Sequence, residues 1–158
     1  MRAPNRPRTI SRPIVVAASA LASPRRATSG LDSSRVAMVL AVCERRGNVR
    51  LAQHDTYVAT VGGVTLREPA ADLATALAVA SAASDRPLPP RMIALGEVGL
   101  AGDVRPVSAV AQRLAEAARL GFTSALVPPG VVQAPDGMTV TTVDNLGVAV
   151  TRAFNRAR

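Results

Sequence analysis

The sequence predicts an α/β (α+β) fold, a single domain in which helices pack on a mixed sheet. The chain has 158 residues, about the size of one domain. Segments typical of strands and of helices alternate throughout its second half, which is the pattern of this class. Hydrophobic residues make up 48% of the chain but aromatic residues only 2%, so Ala, Val and Leu must fill the core. The longest apolar runs fall well short of the roughly 20 residues that cross a bilayer, so we expect no membrane span.

Two strands and two helices are predicted in the first half. Ile14–Leu21 is apolar and partly β-branched, and Thr56–Val61 alternates and is β-rich, so both are predicted strands. A helix is predicted from Asp32, because Asp or Ser can cap it and apolar residues then recur at helical spacing until Gly47 ends it. The Ala/Leu/Val run at Ala70–Ala83 follows a proline and contains no breaker, which predicts a second, buried helix.

Strands and helices are predicted to alternate in the second half. The predicted strands are Met92–Leu95, Ser124–Val127 and Thr139–Val143, with a turn and a further short strand in Gly96–Val107. Ser108 is predicted to cap a helix that runs through Leu120. The predicted apolar face of this helix holds Val110, Ala111, Leu114 and Ala118. Asp144 is predicted to cap the last helix, which reaches about Phe154.

All 19 basic residues are arginine, and the absence of lysine excludes several chemistries from this chain. A P-loop needs a lysine on the nucleotide phosphates. Schiff-base enzymes and Ser–Lys dyads need a lysine amine. The single histidine and the single cysteine cannot form a structural zinc site, which takes four such ligands, and they exclude an internal disulfide.

The positive charge is concentrated in the first third of the chain. The first 50 residues carry ten arginines and two acids, and the rest carry nine arginines and nine acids, so the net charge of +8 lies at one end. This asymmetry indicates a polyanion partner or a basic tail. We expect residues 1–11 to form an arginine-rich disordered tail and residues 12–158 to form the domain. Arginines ahead of the apolar stretch Pro13–Ala22 also resemble a secretory signal, although further arginines follow it at once.

Five sequence motifs resemble one family of bacterial DNA repair proteins. They are Ser23–Arg26 with Gly30–Asp32, Gly62–Leu73, Asp85–Pro89, Gly96–Val107 and Ala115–Phe122. In this order they are similar to the C-terminal Lon-protease-like domain of the RadA (Sms) family, and the resemblance covers about residues 12–155. It implies that Pro13–Leu21 is the first strand of this domain rather than a signal peptide. The zinc finger and ATPase of the family have no counterpart here, so we expect a fragment or isolated domain that binds no cofactor; ATP, Mg²⁺ and Zn²⁺ would belong to those other domains.

The resemblance implies a degenerate protease site. In Lon proteases a serine at the start of a helix is the nucleophile, and a lysine near the start of a later helix activates it. The resemblance places Ala70 and Ala111 at these two positions. Methyl groups neither attack a carbonyl nor accept a proton, so no catalytic residue is expected in this chain. Ser108 is predicted to be a helix cap, and His54 an ordinary surface residue, rather than parts of a substitute dyad.

The resemblance also implies DNA as a partner. RadA proteins promote branch migration in homologous recombination beside a RecA-type recombinase, and this domain of the family assembles as a hexameric ring that binds DNA. Arginine forks suit phosphate oxygens, and the scarcity of aromatic side chains argues against stacking on single-stranded bases. We therefore predict contacts to the duplex DNA backbone from Arg25, Arg26, Arg35 and Arg105. For each the alternative is an ion pair within or between protomers. The expected location is cytoplasmic.

Two other functions stay open at this point. One is a purely structural oligomerisation scaffold, in which DNA contact comes from a separate ATPase. The other is the N-terminal domain of ComM-type magnesium-chelatase-like proteins, which shares the fold and a similar Gly-Glu-x-x-Leu-x-Gly motif. The Ser23–Arg26 motif favours the RadA family over this alternative.

Overall fold

Eight short strands and four α-helices make up the part of the chain that the structure, a computed structural model, describes, residues 14–130 and 133–155. The strands are β1 (Ile14–Ala18), β2 (Arg26–Ser29), β3 (His54–Ala59), β4 (Met92–Ala94), β5 (Glu97–Val98), β6 (Val104–Arg105), β7 (Ser124–Val127) and β8 (Thr139–Thr142). The helices are α1 (Ser33–Arg46), α2 (Asp72–Ser84), α3 (Val110–Arg119) and α4 (Leu146–Asn155), and a 3₁₀ turn at Pro69–Ala71 leads into α2. The predicted tail, residues 1–11, lies outside the described residues.

The strands divide among three small sheets. In the first sheet β3 lies between β1, which is antiparallel to it, and β2, which is parallel to it. In the second sheet β7 lies between β4 and β8, and all three strands are parallel. The third is the β5–β6 hairpin. The predicted α+β class is therefore confirmed, with mixed pairing in the first sheet.

Two separate hydrophobic clusters form the core. The larger one packs α1, α2 and α4 against the first sheet, and its fully buried side chains include Leu51, Leu73, Leu77 and Leu146. The smaller one lies between α3 and the second sheet, around Leu114 and Val127. Leucine, valine and alanine dominate both, as the low aromatic content predicts.

The first two helices follow their sequence signals closely. Asp32 caps α1, since its Oδ1 accepts a hydrogen bond of 2.7 Å from the backbone N–H of Arg35. Gly47 ends the helix and donates its N–H to the carbonyl of Cys43 at 3.0 Å. Pro69 stands in the 3₁₀ turn before α2, where its missing N–H leaves no intrahelical bond unmade. The predicted capping of α1 and the position of α2 are confirmed.

Both later caps were predicted wrongly. Ala109, with a φ of 57°, precedes α3, and no side chain caps it; Ser108 instead offers its carbonyl to Nε of Arg113 at 3.1 Å. The left-handed residue turns the chain before the helix starts, so a hydroxyl at position 108 is not placed to cap it. At α4 the cap is Asn145 rather than Asp144, because Asn145 Oδ1 accepts from the N–H of Val148 at 2.9 Å.

Two further differences concern β2 and the face of α3. The strand β2 was not predicted, because Arg-Ala-Thr-Ser carries no apolar alternation; its pairing with β3 creates it. Ala111 was placed on the apolar face of α3, but it is exposed, while Leu114 and Ala117 are the buried residues. Within the described ranges, no helix combines the length and the apolar character that crossing a membrane requires.

Cys43 provides a test of the packing around α1. It is completely buried, and this burial raises the pKa of its thiol to about 12. Only about 10⁻⁴ of such a thiol is ionised at pH 8, and the thiolate is the reactive form. We expect Ellman's reagent to label the native chain only at the rate of unfolding, and to label it at once in concentrated guanidinium chloride. Complete labelling of the native chain within seconds would contradict this packing.

Candidate nucleic-acid interface

Arg26 holds the segment that enters β3. Its Nη1 donates to the carbonyl of His54 at 2.5 Å and to Thr56 Oγ1 at 2.9 Å. Its Nη2 donates to the carbonyl of Leu51 at 3.2 Å. Thr56 is completely buried, so its hydroxyl needs a partner, and Arg26 supplies one. Arg26 therefore has a structural role that the sequence did not reveal.

Arg25 directly precedes Arg26 but makes different contacts. Its backbone N–H donates to Asp55 Oδ1 at 2.7 Å, and this bond is the main cause of a lowered pKa of the Asp55 carboxyl. The side chain of Arg25 is exposed and makes no hydrogen bond or ion pair within residues 14–130 and 133–155. Its guanidinium is thus available to an external anion.

Arg35 forms an ion pair with a buried carboxylate. Its Nε and Nη2 each lie 2.7 Å from one oxygen of Asp72, a bidentate arrangement. Asp72 is only 4% exposed and also accepts the N–H of Val98 at 3.1 Å, while Glu97 Oε1 lies 3.3 Å from Arg35 Nη2. The hydrogen bond to Asp72 is the main cause of a raised pKa of Arg35. This group, the Arg35–Asp72 clasp, joins α1 to α2 and to β5.

Arg105 lies in the β5–β6 hairpin and remains largely exposed. Its Nε donates to Asp103 Oδ2 at 2.6 Å, and the side chain is 54% exposed. That hydrogen bond is the main cause of a lowered pKa of Asp103 and a raised pKa of Arg105. Glu97 stands opposite Arg105 in the hairpin register. Glu97 lies 3.3 Å from Arg35 and Asp103 lies 2.6 Å from Arg105, so both acids have arginine partners within the chain.

The positions that resemble the Lon dyad lie in different environments. Ala70, in the 3₁₀ turn before α2, is 3% exposed, and its carbonyl accepts the N–H of Gly96 at 3.1 Å. Ala111 is exposed in the first turn of α3. The hydroxyls of Ser81 and Ser84 each donate a hydrogen bond to a backbone carbonyl, so both side chains have structural roles. Within the described residues, no group of three or more His, Cys, Asp or Glu side chains could hold a metal ion.

Asp72 is the residue that sequence reasoning missed. It interrupts an otherwise apolar run that the sequence predicts to be buried. A carboxylate at such a position requires a cationic partner, because an unpaired buried charge is costly. That argument identifies Asp72 as a paired residue, but it does not identify Arg35, which lies 37 residues away in the sequence.

Sequence comparisons find relatives that are DNA repair proteins named RadA. A family profile described as "Subunit ChlI of Mg-chelatase" matches residues 63–130. Over a longer range, the chain is 52% identical to the DNA repair protein RadA of Mycolicibacterium smegmatis, across 88% of this chain and 31% of the relative. It is 44% identical to RadA of Escherichia coli, across 92% of this chain and 32% of the relative. It is 54% identical to RadA of Mycobacterium tuberculosis, across 73% of this chain and 24% of the relative.

The chain is therefore a homologue of RadA over most of its own length, and the resemblance drawn from its motifs is confirmed. The chain spans about a third or less of the length of these relatives. The shorter match to the Mg-chelatase profile runs from just before α2 to just after β7 and includes Gly96–Gly102.

The Arg35–Asp72 clasp should contribute strongly to stability. Arg35→Ala leaves Asp72 buried without its cation, so we expect the free energy of unfolding to fall by about 2–4 kcal/mol. The combined Arg35→Met and Asp72→Asn variant removes both charges. It should lose less unfolding free energy than Arg35→Met and Asp72→Asn lose in total when each is made alone. Denaturation by urea measures both values.

Arg119→Ala is the matched control for this test. Arg119 pairs with Glu116 on the exposed face of α3, and such surface pairs contribute little. We expect the urea midpoint of this variant to stay close to that of the unchanged chain. An Arg35→Ala variant as stable as the control would show that the clasp contributes little.

Proposed function

We propose that this chain acts in DNA repair and recombination as a non-catalytic, Lon-like domain of the RadA type, which self-associates and contacts the backbone of duplex DNA. The homology to RadA proteins over most of the chain carries this proposal. By analogy with the family, the assembly is a hexameric ring that supports branch migration in the cytoplasm, beside a RecA-type recombinase. No cofactor is assigned to this chain; ATP, Mg²⁺ and Zn²⁺ are assigned to the other domains of the family.

The charge of the chain supports DNA contact. A net charge of +8, carried entirely by arginine, favours phosphate groups, which the planar guanidinium binds through two parallel hydrogen bonds. The chain has two phenylalanines, one tyrosine and no tryptophan, so it offers few surfaces on which unpaired bases could stack. Contacts to phosphates without base readout agree with both facts.

The four candidate arginines differ in what they offer to DNA. Arg25 and Arg105 have exposed side chains, Arg105 with one surface ion pair to Asp103, and we assign direct phosphate contact to them first. The guanidinium groups of Arg26 and Arg35 already bind groups within the chain, so we expect their loss to act mainly through stability. This division favours a structural role for Arg26 and Arg35.

Salt dependence tests DNA contact. Fluorescence anisotropy with a labelled duplex should give an affinity whose logarithm falls with the logarithm of salt concentration, by about 0.9 per neutralised phosphate. The double variant Arg25→Gln with Arg105→Gln should bind more weakly, with a slope reduced by about 1.8. The control, Arg67→Gln with Arg119→Gln, removes the same charge and should keep the slope.

Two results would contradict the proposed DNA contact. If the unchanged chain does not bind duplex DNA even at low salt, the structural scaffold is favoured. Light scattering then measures whether self-association persists without DNA. If the double variant and its control bind alike, direct contact by Arg25 and Arg105 is wrong.

The degenerate dyad gives a separate expectation. Since Ala70 and Ala111 carry no nucleophile or base, the purified chain should release no fragments from casein and no product from a fluorogenic peptide. A measurable rate that Ser108→Ala abolishes would contradict the non-catalytic role and make Ser108 the nucleophile.

The ComM-type alternative receives support from the family profile alone. That profile matches residues 63–130, whereas the RadA relatives match up to 92% of the chain, including its arginine-rich first third. The RadA assignment is therefore the stronger one.

A further inference from the structure

A cleft of about 610 Å³ lies between the C-terminal ends of α1 and α2 and one side of α4. Three arginines line it: Arg46 at the end of α1, Arg50 in the loop that follows, and Arg86 just after α2. Its other polar lining comes from Asn48, Ser84 and Thr151. None of these arginines belongs to the set predicted from the sequence.

The three cleft arginines differ from the ion-paired arginines of the chain in their electrostatic surroundings. Arg35, Arg105, Arg113 and Arg119 each form an ion pair with a carboxylate. Within residues 14–130 and 133–155, no carboxylate lines the cleft and no ion pair involves Arg46, Arg50 or Arg86. Three like charges gathered around one space repel each other, and an anion placed between them would relieve that repulsion.

Packing holds the aliphatic stem of Arg46 and the guanidinium of Arg86. The stem of Arg46 lies against Gly102, where an added Cβ would stand only 2.8 Å from the Cβ of Arg46. The guanidinium carbon of Arg86 lies 4.6 Å from the centre of the Phe154 ring, a cation–π contact. Phe154 is itself 6% exposed, so this platform is firmly fixed. Side chains held in this way lose little conformational freedom when an anion binds.

Helix dipoles account for only part of this arrangement. The C-terminal ends of α1 and α2 each carry a partial negative charge of about half a unit, which favours a cation nearby. Three full positive charges exceed two such partial charges, which leaves roughly +2 in the cleft. Arg50 is also outside any helix, so no helix end explains its position.

The loop that follows α1 links the cleft to the segment that carries Arg25. The loop that carries Arg50 runs on through Leu51, whose carbonyl accepts a hydrogen bond from Arg26 Nη2 at 3.2 Å. Arg25, with its exposed guanidinium, directly precedes Arg26, the first residue of β2. Four arginines spread over the cleft and this segment suit a chain of phosphates better than a single free phosphate ion. The cleft lining also offers no exposed aromatic ring to receive a base.

We propose that Arg46, Arg50 and Arg86 bind phosphate groups of the DNA backbone in this cleft and extend the interface that begins at Arg25. The proposal rests on the proposed function, namely DNA contact by this domain. It gives a defined location in the fold to a DNA interface that is otherwise inferred from charge.

The test is anisotropy with a labelled duplex, using the full chain and three triple variants. Arg46→Gln, Arg50→Gln and Arg86→Gln together should weaken binding at least tenfold at low salt and reduce the salt slope by roughly 2.7, about 0.9 for each lost phosphate contact. The matched control is Arg67→Gln, Arg91→Gln and Arg119→Gln, which removes the same charge elsewhere and should retain most of the slope. The third variant replaces the three cleft arginines by lysine and should retain the slope, because the charges remain.

Thermal melting shows whether the glutamine variant is folded. If the glutamine triple variant is unfolded, the single variant Arg50→Gln replaces it in the test. Arg50 makes no hydrogen bond or ion pair within the described residues, so its loss should not affect folding. Arg50→Gln should reduce the salt slope by about 0.9. If the unchanged chain binds DNA and the cleft variant behaves like the control, the cleft proposal is wrong and the proposed function stands. If the unchanged chain does not bind DNA at all, both are wrong.

Discussion

The buried carboxylate of Asp72 is the constraint on which the arrangement of the domain depends. It sits at the start of α2, where the fold needs an apolar surface, and Arg35 and the N–H of Val98 satisfy its oxygens. Because these three groups come from α1, α2 and β5, they must meet at one point. Backbone hydrogen bonds from Gly96 to Ala70 and from Leu73 to Gly96, both 3.1 Å, hold the same junction. These contacts fix the β5–β6 hairpin to α1 and α2.

A chain without lysine uses arginine for two purposes. One group has partners inside the domain: Arg26 binds carbonyls and a buried hydroxyl, and Arg35 binds carboxylates. A second group, the three arginines of the cleft, lines a space that has no acid among its described lining residues. The guanidinium suits both uses because its five donors serve carbonyls, carboxylates and phosphates alike. Net charge therefore describes the interface poorly, and the local balance of charge describes it better.

Local signals predicted α1 and α2 well because Asp32, Gly47 and Pro69 act within a few residues of the helix ends they define. The strand β2 could not be predicted in the same way, since its four residues become a strand only through their register with β3. The cap at Ser108 failed because a left-handed residue intervenes, and single sequences carry little signal for such an alanine. The site followed the same division: the arginine-rich region was evident, but the partners of Arg26 and Arg35 are long-range contacts.

The two hydrophobic clusters divide the domain into parts of unequal strength. The smaller cluster has five buried residues around α3 and the second sheet, whereas the larger one unites three helices with the first sheet. Amide exchange follows local opening, and a part with less buried apolar surface opens at a lower cost. The α3 part can therefore open while the cleft between α1, α2 and α4 stays formed. The domain thus has a more easily opened side and a more stable side, and the more stable side carries the three arginines of the cleft.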